Sequence, residues 1–171
     1  VATKRGNRFV LNGQKTFITD ADGSDYALVV ARTTPHTEVA KKTDGFTLFI
    51  VDLKAKGLQK QYIPVSIPAP ETQWQLFFDD VDLGPEDIVG EIDKGFGILF
   101  KSLNPERILV GSICCGLGRY ALNRAVSYVK ERKVFNDTPI GAYQGLQHPL
   151  ASARTDVEMA SLMTLKAAWI F

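Results

Sequence analysis

The hydrophobic period changes about halfway along the chain, and that change limits the fold more than any other feature. Up to about Glu91, short apolar runs rich in Val, Ile, Phe and Thr alternate with turn residues, as strands do. From Gly95 onward no strand signature is read, and apolar residues recur every three or four positions. Residues 1–91 are therefore predicted as an antiparallel, β-barrel-like domain and residues 92–171 as a helical domain, an α+β chain.

Within the first part, Arg8–Leu11 and Gln14–Thr19 flank Asn12-Gly13, a strong two-residue hairpin signal. Asp20–Asp25 is a turn by composition. Tyr26–Thr33 and Phe46–Val51 read as strands around a polar loop, Thr34–Asp44, and Gly57–Ile63 adds a short one. Pro64, Pro68 and Pro70 exclude a central strand over Ile63–Pro70. Gln73–Phe78 is the last predicted strand, closed by Asp79-Asp80-Val81-Asp82.

Phe96–Leu103 reads as a short helix. A long helix is predicted to begin at Asn104, a good capping residue, with Pro105, Glu106 and Arg107 in its first turn. Val110, Cys114, Leu117, Ala121, Ala125 and Tyr128 give it one apolar face. Gly111, Gly116 and Gly118 each cost about 1 kcal/mol against Ala, which predicts that something packs close to the backbone. Asn136–Pro139 is a turn. A last helix runs from about Tyr143, with Pro149 predicting a kink or a start near His148. Val1 is not a start methionine and Leu162–Phe171 has no helix stop signal, so the chain reads as part of a longer protein.

Composition works by exclusion. Lys and Arg number 20 against 19 Asp and Glu, so nothing argues for a nucleic-acid partner. No apolar run approaches the roughly 20 residues of a membrane span. Cys114 and Cys115 are neighbours on a helix, badly placed for a disulfide, and read as small buried residues in a reducing compartment. His36 and His148 lack ligand spacing, so no metal site is expected. Neither a nucleophile elbow nor a phosphate-binding glycine loop is present.

Glu106 is the carboxylate that invites a chemical reading. At the mouth of an apolar groove, desolvation suits a carboxylate to remove a proton next to a carbonyl. The plain alternative is a charge that complements the helix dipole. Arg119, Arg124, Lys130, Arg132 and Lys133 form a solvated basic face, or Arg132 holds a phosphate.

Three motifs together carry a family resemblance. Phe9–Thr19, with Asn12-Gly13-Gln14-Lys15-Thr16-Phe17-Ile18-Thr19, resembles the start of the middle β-domain of acyl-CoA dehydrogenases. Phe78-Asp79-Asp80-Val81, Ile88-Val89-Gly90-Glu91 and Gly95-Phe96 resemble the family's exit from that domain. Arg132-Lys133-Val134-Phe135, Pro139-Ile140-Gly141 and Gln144 resemble its Arg-x-x-Phe-Gly…Ile-Gly-x-x-Gln run in the C-terminal helical domain, a four-helix-bundle type of which this chain would carry the first part.

The resemblance implies FAD as cofactor and α,β-dehydrogenation of an acyl-CoA thioester in fatty acid metabolism. It implies electron-transfer flavoprotein as partner and a homodimer or homotetramer, in bacterial cytoplasm or the mitochondrial matrix. Phe17 and Thr19 would meet the flavin ring. Arg132, Phe135 and Gln144 would reach FAD bound mainly by a neighbouring subunit, and Asn104 and Arg107 would meet the coenzyme A portion. Most members place the base farther toward the C-terminus. A subset resembling the isovaleryl and long-chain enzymes places it just before the helix arginine, and Glu106 occupies that position. An oxidase on the same scaffold and a non-catalytic homologue are the alternatives. Asn136 departs from the family's usual Gly and Phe17 from its commoner Trp or Tyr. Tyr62–Thr72 lacks the usual Lys-x-Gly…Ser pattern, which leaves contacts there open. With the rest of the flavin site outside it, this piece alone is expected to be inactive.

Overall fold

In the computed structural model, which describes residues 1–66 and 70–171, one long strand organises the first part of the chain. This strand, β2 (Arg8–Thr19), pairs antiparallel with β1 (Ala2–Arg5) on one side and with β6 (Gln73–Leu83) on the other. β6 then pairs with β5 (Leu58–Ile63), which completes a four-stranded sheet. A second sheet orders β3 (Tyr26–Arg32), β4 (Phe46–Asp52) and β7 (Ile88–Val89). The core is apolar residues of both sheets: Phe9, Leu11, Leu76 and Val81 from the first, Val29 and Phe49 from the second. The rings of Phe9 and Phe49 meet edge to face with centroids 5.4 Å apart. Two units result, Val1–Phe100 and Lys101–Phe171, and the α+β expectation with antiparallel sheets followed by long helices holds.

Asn12-Gly13 does not turn the chain. The turn lies at Gly6-Asn7, between the paired residues Arg5 and Arg8, with Gly6 at φ +65°. At Asn12 the ladder instead shifts register. The Asn12 amide brackets Asp80, donating to its carboxylate at 2.9 Å and accepting from its backbone N–H at 2.9 Å. Asp80, at φ +48°, absorbs the irregularity on the partner strand, so β6 runs on to Leu83 rather than closing at Asp79–Asp82. A long-range side-chain bracket has overridden a local turn preference. The reading of Pro68 lies outside the described residues.

One helix, α1 (Gly95–Glu131), replaces the predicted short helix and its successor. Asn104 is not a cap and Pro105 lies inside the helix. Neither the proline's missing N–H nor its clash with the preceding turn ends the helix here. The last helix, α2 (Gln144–Ile170), likewise continues through Pro149 rather than starting at His148. Between them a small hairpin joins β8 (Lys133–Val134) to β9 (Thr138–Pro139), a strand pair the helical periodicity gave no reason to expect.

The glycines of α1 do mark close packing, at two of three positions. A Cβ on Gly118 would lie 2.9 Å from Val157, and one on Gly111 would lie 3.3 Å from Thr164; Gly116 faces open space. The α1 face toward α2 is thus Gly111, Cys115, Gly118 and Arg119, whose guanidinium donates to Ser161. The predicted apolar face is the other one: Val110, Leu117 and Tyr128 are exposed, as is Cys114, and only Cys115 of the cysteine pair is buried. Among the described residues, no helix is long and apolar enough to cross a membrane.

Candidate functional site

The most unusual backbone in the first unit lies in β2. Lys15 pairs with Leu76 and Ile18 with Trp74, so Thr16 and Phe17 together oppose Gln75 alone. This is a bulge, two residues against one. It holds Phe17 at φ +58°, a conformation rare for an aromatic side chain and costing on the order of 1–3 kcal/mol. The ring is not buried in return, being 66% exposed. Thr19 follows at the end of the strand and accepts a hydrogen bond from Gln73 Nε2 at 3.2 Å. Its own O–H has no acceptor among the described residues and remains available to donate.

The exit from β2 is fastened across the sheet. Thr72 N–H donates to Asp20, the Thr72 hydroxyl to Asp22 at 2.6 Å, and Trp74 Nε1 to Asp22 at 3.0 Å. The Thr72 hydroxyl, followed by backbone N–H groups and the indole, holds the Asp22 carboxyl below its ordinary value. A cavity of about 360 Å³ lies beneath, lined by Lys15, Ile18, Thr19, Tyr26, Leu28 and Val30 among others. No sequence signal pointed to the Asp22 cluster, because its partners are about fifty positions apart.

The second unit carries the other candidates in two places. Phe135, Asn136 and Asp137 form the loop of the β8–β9 hairpin with φ values of +38°, +56° and +64°. Asn136, where the resemblance leads one to expect Gly, sits in the left-handed region that Asn tolerates better than most residues. Phe135 is pushed out to 80% exposure. The Arg132 carbonyl accepts from Ile140 N–H at 2.8 Å, which folds Arg132 back toward the start of α2, where Gln144 is the first residue. Both side chains are exposed.

On α1, Asn104 and Arg107 come together. Arg107 Nη1 lies a long 3.5 Å from Asn104 Oδ1, and the two line an open groove with Ile108, Ala167, Ile170 and Phe171. Glu106 does not line this groove. It lies about three turns inside α1, not in a first turn, and is exposed. Helical spacing puts it in line with Val110, Ile113 and Leu117, all exposed. Glu106 thus stands one turn before a row of exposed apolar side chains on its own helix.

Comparison with known proteins agrees with this architecture. The acyl-CoA dehydrogenase middle-domain model matches residues 1–81, and the acyl-CoA dehydrogenase C-terminal-domain model matches residues 93–171. The acyl-CoA dehydrogenase FadE12 of Mycobacterium tuberculosis is 44% identical over 99% of this chain and 43% of its own length. CarC of Acetobacterium woodii, a subunit of a caffeyl-CoA reductase–Etf complex, is 35% identical over 98% of this chain and 43% of its own. The structure of butyryl-CoA dehydrogenase from Megasphaera elsdenii superposes with a TM-score of 0.81 at 30% identity, covering 96% of this chain and 42% of that one. The chain spans less than half the length of these relatives. With two successive domain models and a matching fold along nearly its whole length, the chain belongs to the acyl-CoA dehydrogenase family.

Proposed function

We propose that the full-length protein is an FAD-dependent acyl-CoA dehydrogenase that introduces an α,β double bond into an acyl-CoA thioester. The observation that carries this reading is the β2 bulge. It presents an outward aromatic face at Phe17 and, two residues on, a Thr19 hydroxyl free to donate. A flat ring with acceptor atoms at its edge fits that pair, one group for stacking and one for hydrogen bonding. Bound FAD supplies acceptance of the substrate's β-hydrogen as hydride.

The remaining roles fall to groups whose chemistry suits them. Glu106 removes the α-proton; a carboxylate heading an apolar stripe loses water once a substrate chain lies along it, which favours proton transfer to it. Asn104 and Arg107 hold the coenzyme A portion, where a guanidinium matches phosphate oxygens. Arg132, directly after α1, and Gln144, the first residue of α2, bind FAD phosphates of a neighbouring subunit, with Phe135 packing beside them in a homodimer or homotetramer. The association of CarC with Etf supports electron-transfer flavoprotein as a redox partner. The domain division near Glu91 belongs to the same proposal.

Full-length protein isolated with bound flavin, and bleached anaerobically by acyl-CoA, tests the reading; colourless protein that ignores acyl-CoA contradicts it. Phe17→Ala is expected to weaken flavin binding. Oxygen consumption with peroxide release in place of dye reduction would instead identify an oxidase.

A further inference from the structure

The bulge that presents Phe17 needs something behind it to hold its shape. Lys15 is the last residue in register before it. Its ammonium is part-buried and does not reach outward to a carboxylate: no described residue pairs with it as an ion pair. Instead Nζ donates at 2.9 Å to the main-chain carbonyl of Val30 on β3, in the other sheet. This links two sheets that share no backbone ladder. The same two residues line the cavity beneath Ile18 and Thr19, so local packing there is not dense enough to fix the strand by itself. A lysine aimed inward, bonded to a backbone carbonyl beside a strained aromatic, is an expensive choice for a plain strand position.

We propose that Lys15 is a positioning residue. Its cross-sheet bond to Val30 fixes the Thr16–Phe17 bulge and so the outward placement of Phe17 and Thr19. The functional half of this inference rests on the reading of those two residues as flavin contacts. Lys15 touches no reacting group; it acts through the strand.

Full-length Lys15→Met keeps the apolar stem and removes the donor, and Lys15→Arg restores a donor of similar reach. Amide hydrogen exchange is read over residues 15–20 on flavin-free protein, and flavin affinity and the visible spectrum on loaded protein. In Lys15→Met, exchange is expected to accelerate at least tenfold across the bulge but not in β4. Flavin affinity is expected to fall with a shifted spectrum, and the KM for acyl-CoA to stay near wild type. Lys15→Arg is expected to recover both signals in part. Unchanged exchange over residues 15–20 overturns the proposal, as does a uniform rise across both sheets. Phe17→Ala, run alongside, separates the inference from the function. Flavin weakened there but unmoved in Lys15→Met sinks the positioning role alone; flavin unmoved in both sinks the flavin reading as well. If Lys15→Met does not fold, Lys15→Gln takes its place, since its shorter amide falls short of Val30.

Discussion

The two units hold themselves together in opposite ways. The β unit closes on its own core: Phe49, Val51, Val81 and Leu76 are essentially inaccessible, and Thr47, also buried, is satisfied by hydroxyl and backbone partners. The helical unit buries only Cys115, Leu122 and Ser161, while Leu117, Tyr120, Leu162 and Trp169 stand in the open. Its helices meet where Gly111 and Gly118 face Thr164 and Val157, and through the hydrogen bond from Arg119 to Ser161. The difference places the stability of this chain in the sheets. It leaves the helices with exposed apolar residues such as Leu117 and Leu162.

Substitutions on the two sides sharpen that contrast. Phe49→Ala empties the centre of the sheet core and is expected to cost about 3–5 kcal/mol in denaturant unfolding. A loss below about 1 kcal/mol would show that the core is not where stability resides. Gly118→Ala gains about 1 kcal/mol of helix propensity but drives a methyl against Val157. Overpacking of about 1–3 kcal/mol should win, and Val157→Ala should relieve it in the double variant. Leu117→Ala, on the exposed face, should stay within about 0.5 kcal/mol in this 171-residue chain. A large cost there would mean that the helical face is covered after all.

The smallest effect is a pH dependence at the end of β2. The Asp22 carboxyl is held below its ordinary 3.8 by the Thr72 hydroxyl first and by other donors after it. A depressed carboxylate contributes stability above its unfolded value. That stability is lost as pH falls below 3.8 through the folded value. Trp74 fluorescence, read in a Trp169→Phe background, should follow that loss, and Asp22→Asn should abolish it.

Legibility in the sequence followed the range of the interaction. Alternation and helical spacing placed most strands and the last helix, and recognised the span of α1 as helical while dividing it in two. Asn12-Gly13 misled because its amide answers to Asp80, sixty-eight positions away, and not to its neighbours. Asn104-Pro105 looked like a helix start because capping preferences are local, whereas the helix had already begun at Gly95. The apolar stripe of α1 was legible as a stripe but is exposed, and the glycines that suggested close packing mark the contact at Gly111 and Gly118. The family resemblance singles out Phe17 and Thr19 as candidates, but the bulge that turns Phe17 outward comes from register with β6 and has no local signature.

The proposed proton removal by Glu106 is the step on which the mechanism stands, and Glu106→Gln in the full-length protein measures it most directly. With flavin content and turnover recorded on the same sample, bound flavin is expected to stay at wild-type level while turnover falls by about 10²–10⁴. Turnover that persists within a few-fold, with flavin fully bound, would place the base on another residue.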